Sequence, residues 1–293
     1  MSDNFSVLLV GGTHGNELTG VHLIQRWMKN ESEIQRSGLT SSVLLANTEA
    51  IKQNRRYIDA DLNRQFAQES LLDSDVDHSE AIKAKELSRF VSEGSGKDFI
   101  IDLHTTTANM DVTLVVNDHS KLALKAATYV KEHMSGVTIM HQVVNKEDDS
   151  FLISLGHMGG IIVEVGPVAQ GLLNADAFEK TRLAVEHILD YLSQQLRSDI
   201  VLPASVAAFQ FIEKIKLPEN EQGELIGMIH SGLQGKDFLP LKTGSPMFLL
   251  QTGETIYYDG EDGFVGAFIN EAAYYDQHHG FSLLKPVQLH LSD

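Results

Sequence analysis

The chain has 293 residues, no cysteine and a formal net charge of −17, with 42% hydrophobic and 22% charged residues. These are the proportions of an ordinary globular protein with room for two domains. They exclude disulfides and thiolate metal sites, and they argue against a sequence-independent grip on nucleic acid or an anionic membrane. No stretch approaches the ~18 apolar residues of a membrane span. The opening MSDNFSVLLVGG has neither a basic start nor a long enough apolar core for a signal peptide, so a cytoplasmic protein is expected.

The first element is a short buried strand, Val7–Val10, running into a turn at Gly11–Gly12 and then into His14 and Glu17. If the turn passes straight into a helix, the spacing of three puts both side chains on one face. They then supply two of the three protein ligands of a catalytic zinc site. The same pair also fits a plain helix start with an acid in its first turn. A helix is expected over Leu18–Met28 and a strand over Ser42–Ala46, followed by a long polar loop, Asn47–Gln65, with one helical turn. His78–Ser92 reads as a helix entered through Ser79 as N-cap.

Asp98–Leu103 is a continuous apolar strand that ends at His104. Ligands of open α/β sheets sit outside the carboxyl ends of strands, so His104 can meet His14 as the third ligand. Alone, it would be an ordinary strand-end histidine. Asp102, two residues earlier, points the same way and can orient the imidazole. The other eleven of the 13 histidines read as solvated, with His278–His279 in a polar turn.

Further strands are expected at Val112–Val116, Val137–Met140 and Ile161–Val165, with helices over Ser120–Met134 and Ala175–Leu196. Alternating strands and helices predict an α/β domain over 1–200, with a mostly parallel sheet flanked by helices. Beyond Leu202–Pro203 the pattern turns to short strands (Ser205–Ile215, Leu225–Ile229, Met247–Leu250 and Phe264–Ile269) between turn signals. That predicts a smaller β-rich domain over 201–293, in close contact with the first.

Two more groups carry chemistry. The segment Asn54–Arg64 gathers Arg55, Arg56 and Arg64. Such arginines can stabilise an oxyanion or grip a carboxylate, with Asn63 beside them, and they also fit a solvated, salt-bridged loop. Glu164 stands inside the apolar run Ile161–Val165. A carboxylate there is costly unless paired or used, and a raised pKa would suit proton transfer. A strand end facing solvent is the alternative.

Taken together, GGTHGNE (11–17), NRRYIDADLNR (54–64), DLHTTT (102–107), VEVGP (163–167) and NEAAYY (270–275) resemble the aspartoacylase branch of the aspartoacylase/succinylglutamate desuccinylase family, relatives of the zinc carboxypeptidases. The resemblance runs from residue 7 to about residue 275. It implies a zinc-carboxypeptidase-like catalytic domain, a β-rich C-terminal domain capping the cleft, and one Zn2+ per chain held by His14, Glu17 and His104. It implies hydrolysis of a small anionic N-acyl amino acid, N-acetyl-L-aspartate first, with Glu164 activating water and Arg56 polarising the scissile carbonyl. Asn63 and Arg64 would hold the amino-acid carboxylate, and Tyr274 would reach in from the second domain. It leaves room for a homo-oligomer.

One departure bears on the substrate. Aspartate-specific members of the family carry a tyrosine and an arginine shortly before the catalytic glutamate strand. Gln142–Val163 holds neither; Ser150 and Ser154 stand there, and Lys146 is the nearest cation. Another N-acyl amino acid, such as N-succinyl-glutamate, a zinc carboxypeptidase and a four-ligand structural zinc module remain as rival readings.

Overall fold

The structure, a computed structural model, describes residues 5–93, 96–197 and 200–291. In chain order its elements begin with β1 (Phe5–Gly11), α1 (Leu18–Lys29), β2 (Leu39–Leu45), α2 (Thr48–Gln53), α3 (Gln68–Leu72) and α4 (Ser79–Ser92). Next come β3 (Phe99–Thr105), β4 (Asp111–Asn117), α5 (Lys121–His133), β5 (Val137–Gln142), β6 (Gly160–Gly166) and α6 (Ala175–Gln195). The chain ends with β7 (Ser205–Lys216), β8 (Gly227–Ile229), β9 (Pro246–Leu250), β10 (Thr255–Tyr257), β11 (Val265–Ala267) and β12 (His279–His290).

One nine-stranded sheet has the order β11-β12-β7-β5-β4-β6-β3-β1-β2, and β10-β9-β8 form a second, small sheet. The larger sheet is mostly parallel; its antiparallel pairs are β4–β6, β7–β12 and β11–β12. Strand β7 pairs parallel to β5 at Met140↔Phe209 and His141↔Gln210. The C-terminal strands therefore extend the first sheet and bring their side chains alongside its carboxyl ends.

The alternation of each strand separates two cores. Val7, Leu9, Ile101 and Val163 pack with Leu23 and Trp27 of α1, Val130 of α5 and Ile188 of α6. Leu8, Val10, Ile100 and Ile162 face the other way, against Ala84, Leu87 and Val91 of α4. Each buried Leu, Ile or Val contributes about 1.5–3 kcal/mol, so polar residues on a buried face call for a separate explanation. Asp102, His104 and Glu164 are such residues, and all are buried. By alternation they share the face of Ile100 and Ile162. A third core, with Phe248, Tyr258, Ile269 and Phe281, sits under the small sheet.

Several local expectations need correction. His78, rather than Ser79, caps α4: its ring Nδ1 accepts from the Ala81 N–H at 3.2 Å. The Asn47–Gln65 loop contains α2, capped by Asn47, and a 3-10 turn at Leu62–Arg64 capped by Asp61. Neither α3 nor the long strand β12 is expected from the pattern. In β12 a mostly apolar, buried first half runs into Lys285, Pro286, Gln288 and His290, which are exposed where β12 pairs with β7. No helix among the described residues is long and apolar enough to cross a membrane.

Candidate active site

The site begins at the carboxyl end of β1. Gly12 takes a positive φ of 70°, and at Gly15 an added Cβ would lie 2.2 Å from the Ala50 carbonyl carbon. The chain can turn this tightly against α2 only without side chains at those points. The turn closes with the Glu17 N–H donating to the His14 carbonyl at 3.2 Å, and α1 starts only at Leu18. His14 and Glu17 therefore converge through a turn before the helix, and not on a helical face.

His104 arrives from the end of β3, and the three side chains meet. His14 Nδ1 lies 2.7 Å from Glu17 Oε1 and 3.0 Å from His104 Nδ1, and His104 Nδ1 lies 2.9 Å from Glu17 Oε2. The outer nitrogens are both engaged: His14 Nε2 meets Asp61 Oδ1 at 2.9 Å, and His104 Nε2 meets Asp102 Oδ2 at 2.7 Å. Each ring thus meets a carboxylate at both nitrogens, and the tautomer that keeps the proton on Nε2, toward Asp61 or Asp102, is the one that frees Nδ1 to bind a metal. In that tautomer both Nδ1 lone pairs face each other across the Glu17 carboxylate. Such a set is mutually repulsive unless a cation lies among the donors. Two imidazoles and one carboxylate, with ligand atoms all within 4.8 Å of one another, are a donor set suited to zinc, each histidine backed by its own acid.

The charges respond to this crowding. Burial pushes the Glu17 carboxyl up, but His14 and His104 outweigh it and hold its pKa well below the ordinary range. Burial lowers His104, while Asp102 and Glu17 raise it further than burial depresses it. Glu164 goes the opposite way: burial, then repulsion from Glu17 and Glu271, lift it to about 8. It sits beside His104 in the β3–β6 register.

Arg56 is clamped between two acids, with Nη1 donating to Glu17 Oε1 at 3.1 Å and Nη2 to Asp61 Oδ2 at 2.9 Å. Burial opposes its charge, yet Asp61 and Glu17 raise its pKa above the ordinary arginine value. Asn63 Oδ1 accepts from the Leu152 N–H at 2.8 Å, and its Nδ2 lies 3.5 Å from His104 Nε2. The Arg64 guanidinium carbon lies 5.0 Å from the Phe151 ring centre, a cation–π contact. The Tyr274 ring centre lies 5.7 Å from the Arg56 guanidinium carbon, and burial raises its phenol pKa. Its turn is tied to the end of β3 by Glu271, which accepts from the Thr106 hydroxyl and, at 2.7 Å, from the Thr107 N–H.

The eight residues to which the resemblance gives metal, catalytic or substrate roles, His14, Glu17, Arg56, Asn63, Arg64, His104, Glu164 and Tyr274, all line one cavity of about 280 Å³. One wall is apolar: Ile162, Val115 and Met140 sit side by side on β6, β4 and β5, joined by Phe211 and Phe268. Four contributors escaped the sequence reading: Asp61, Glu271, Lys214 and His279. Asp61 and Glu271 stand inside the motifs quoted above, but their task appears only through tertiary partners. Lys214 comes from β7 and also lines the cavity; Lys146, the nearest cation in sequence to the missing arginine, is exposed and lines a separate cleft with Phe66 and Arg89. His279, expected in a polar turn, is buried and stacks on Tyr274 with centroids 4.9 Å apart. His141 is buried as well. Ser154 lines the separate cleft, whereas Ser150 lines the cavity.

A buried cluster of histidines and acids beside a guanidinium, opening on a cavity, is suited to hydrolysis. Comparison with known sequences agrees. Residues 3–192 match the succinylglutamate desuccinylase/aspartoacylase catalytic domain, and residues 204–286 match the AstE/AspA barrel-sandwich hybrid domain. A probable aspartoacylase of Acaryochloris marina is 39% identical over 274 residues, 92% of either chain. An N-acyl-aromatic-L-amino acid amidohydrolase (carboxylate-forming) of Xenopus tropicalis is 38% identical over 281 residues, 94% of this chain and 91% of the other. The crystal structure of murine aminoacylase 3 superposes with a TM-score of 0.90 at 33% identity, covering 98% of this chain and 97% of that one. The chain belongs to the succinylglutamate desuccinylase/aspartoacylase family.

Proposed function

We propose that the protein hydrolyses the amide bond of a small N-acyl amino acid, releasing a carboxylate and the free amino acid. His14 Nδ1, Glu17 and His104 Nδ1 would hold one zinc ion. When bound, zinc supplies Lewis acidity, acidifying water and polarising a carbonyl oxygen.

The remaining work falls to side chains. Glu164, paired with His104 in the β3–β6 register and lining the cavity, takes a proton from the attacking water and returns it to the departing nitrogen. Arg56, fixed by Glu17 and Asp61 before substrate arrives, stabilises the negative charge that develops on the acyl oxygen. Arg64, with Asn63 Nδ2 and Lys214, holds the α-carboxylate. Tyr274, kept protonated by burial, offers a hydroxyl donor beside Arg56. Asp61 and Asp102 hold the two imidazoles in the tautomer that leaves Nδ1 unprotonated.

The observation that carries the substrate reading is the contrast inside the cavity. Arg56, Arg64 and Lys214 line it together with an apolar group, Val115, Met140, Ile162, Phe211 and Phe268, of which Ile162, Val115 and Met140 sit side by side on β6, β4 and β5. The wall supports an amino acid with an aromatic or large aliphatic side chain, in keeping with the name of the Xenopus relative. Lys214 favours a second reading, N-acetyl-L-aspartate, in keeping with the probable aspartoacylases. An acetate-release screen across N-acetyl amino acids separates them. Higher kcat/KM for N-acetyl-phenylalanine than for N-acetyl-aspartate, by roughly tenfold or more as apolar-pocket discrimination allows, is expected. The reverse order overturns the aromatic reading in favour of aspartate. N-succinyl-glutamate and an unblocked peptide, followed by release of the free amino acid rather than acetate, test the remaining rivals.

A further inference from the structure

The loop between β5 and β6 holds a buried acid that the reaction does not use. Asp149 is 1% exposed. Its Oδ2 accepts from the Asn117 side-chain amide and, at 2.8 Å, from His119 Nε2; its Oδ1 accepts from the Phe151 N–H at 3.0 Å. Asn117 ends β4 and His119 follows it, so the carboxylate ties the loop to the rigid sheet.

The consequences fall on the next three residues. Ser150 accepts from the Phe66 N–H at 3.3 Å through its carbonyl. Phe151 lays its ring 5.0 Å from the Arg64 guanidinium carbon. The Leu152 N–H donates to Asn63 Oδ1 at 2.8 Å. Each residue after Asp149 thus touches the segment that presents Asn63 and Arg64. From this geometry we infer that Asp149 is a positioning residue for recognition of the substrate α-carboxylate: it fixes Phe151 and Leu152, which fix Arg64 and Asn63. A side chain as long as arginine has many rotamers, and holding one of them before binding removes an ordering cost from each binding event. The inference rests on the deacylase reading, since it assumes that Arg64 meets a carboxylate.

The test pairs two substrates with a double-mutant cycle. One substrate is an N-acetyl amino acid; the other is its carboxamide, which offers Arg64 no charge. Asp149→Ala should raise KM for the acid roughly tenfold with kcat within about twofold, the signature of lost ground-state binding. KM for the carboxamide should move less than about twofold, and in an Arg64→Ala background Asp149→Ala should add nothing. Phe151→Leu keeps the turn, removes the ring from Arg64 and should reproduce the acid-only effect even where Asp149→Ala does not fold. Equal losses on acid and carboxamide, or full additivity with Arg64→Ala, overturn the inference. A flat response to Asp149→Ala and Phe151→Leu while Arg64→Ala still raises KM overturns it alone. A flat response to Arg64→Ala removes the carboxylate contact from the proposed function and the inference with it.

Discussion

The two ends of the cavity are built differently. At the catalytic end, His14, Glu17, His104 and Glu164 come from the ends of β1, β3 and β6, adjacent strands of one parallel ladder. Their partners Asp61, Asp102 and Arg56 are themselves buried or clamped. At the recognition end, Val115, Met140, Phe211, Lys214, Phe268 and His279 come from β4, β5, the ribbon of β7 and β12, and the segment between them. The first arrangement fixes charges whose positions must hold throughout the reaction. The second is a surface assembled across many strands, where one side chain can change without disturbing the others. Chemistry and substrate choice are thereby separable in this fold.

Substitutions at either end should therefore fail in different ways. The largest effect is expected for Glu164→Gln, which keeps the shape and removes the proton carrier. kcat should fall by roughly 10²–10⁴-fold with KM little changed, measured by steady-state acetate release; a kcat within about tenfold of wild type would take Glu164 out of the chemistry. Lys214→Met should act at the other end, raising KM by several-fold with kcat near wild type, because it removes binding made equally in ground and transition states. A collapse of kcat in that variant would mean that the two ends are not separable.

The smallest effect is one of stability. Burial depresses His279 to about 4, below its ordinary value of about 6.5. The folded chain then binds fewer protons than the unfolded chain between those values. The stabilisation is fully present above the ordinary value and is lost as pH falls toward about 4. His279→Phe should flatten that part of the stability-against-pH curve in urea titrations. An unchanged slope would show that other groups carry the acid sensitivity.

This division also explains what could be read from the sequence. Each catalytic group stands at or near a strand end in a contiguous motif, so spacing, the burial cost of Glu164 and the family motifs together pointed to His14, Glu17, His104 and Glu164, and all four line one cavity. The local mechanism was less legible: a helical face for His14 and Glu17 was expected where a turn does the work. Asp61 looked like one charge among many in the Asn54–Arg64 segment, because its meaning depends on His14, 47 residues away. Lys214 and His279 carry no motif of their own. They reach the cavity through the β7–β12 ribbon, and β12 was missed because its outward-facing half is polar and contains Pro286. The predicted helices α1, α5 and α6 were found because each has a continuous apolar stripe. The short α2 and α3 have too few residues to show one.

Direct metal analysis of the purified, zinc-equilibrated chain tests the central claim most closely. The account predicts one zinc per chain in the wild type, its loss in both His14→Ala and His104→Ala, and its retention in Glu164→Gln, with folded circular-dichroism spectra throughout. Stoichiometric zinc in both histidine variants, or none in the wild type, would contradict it.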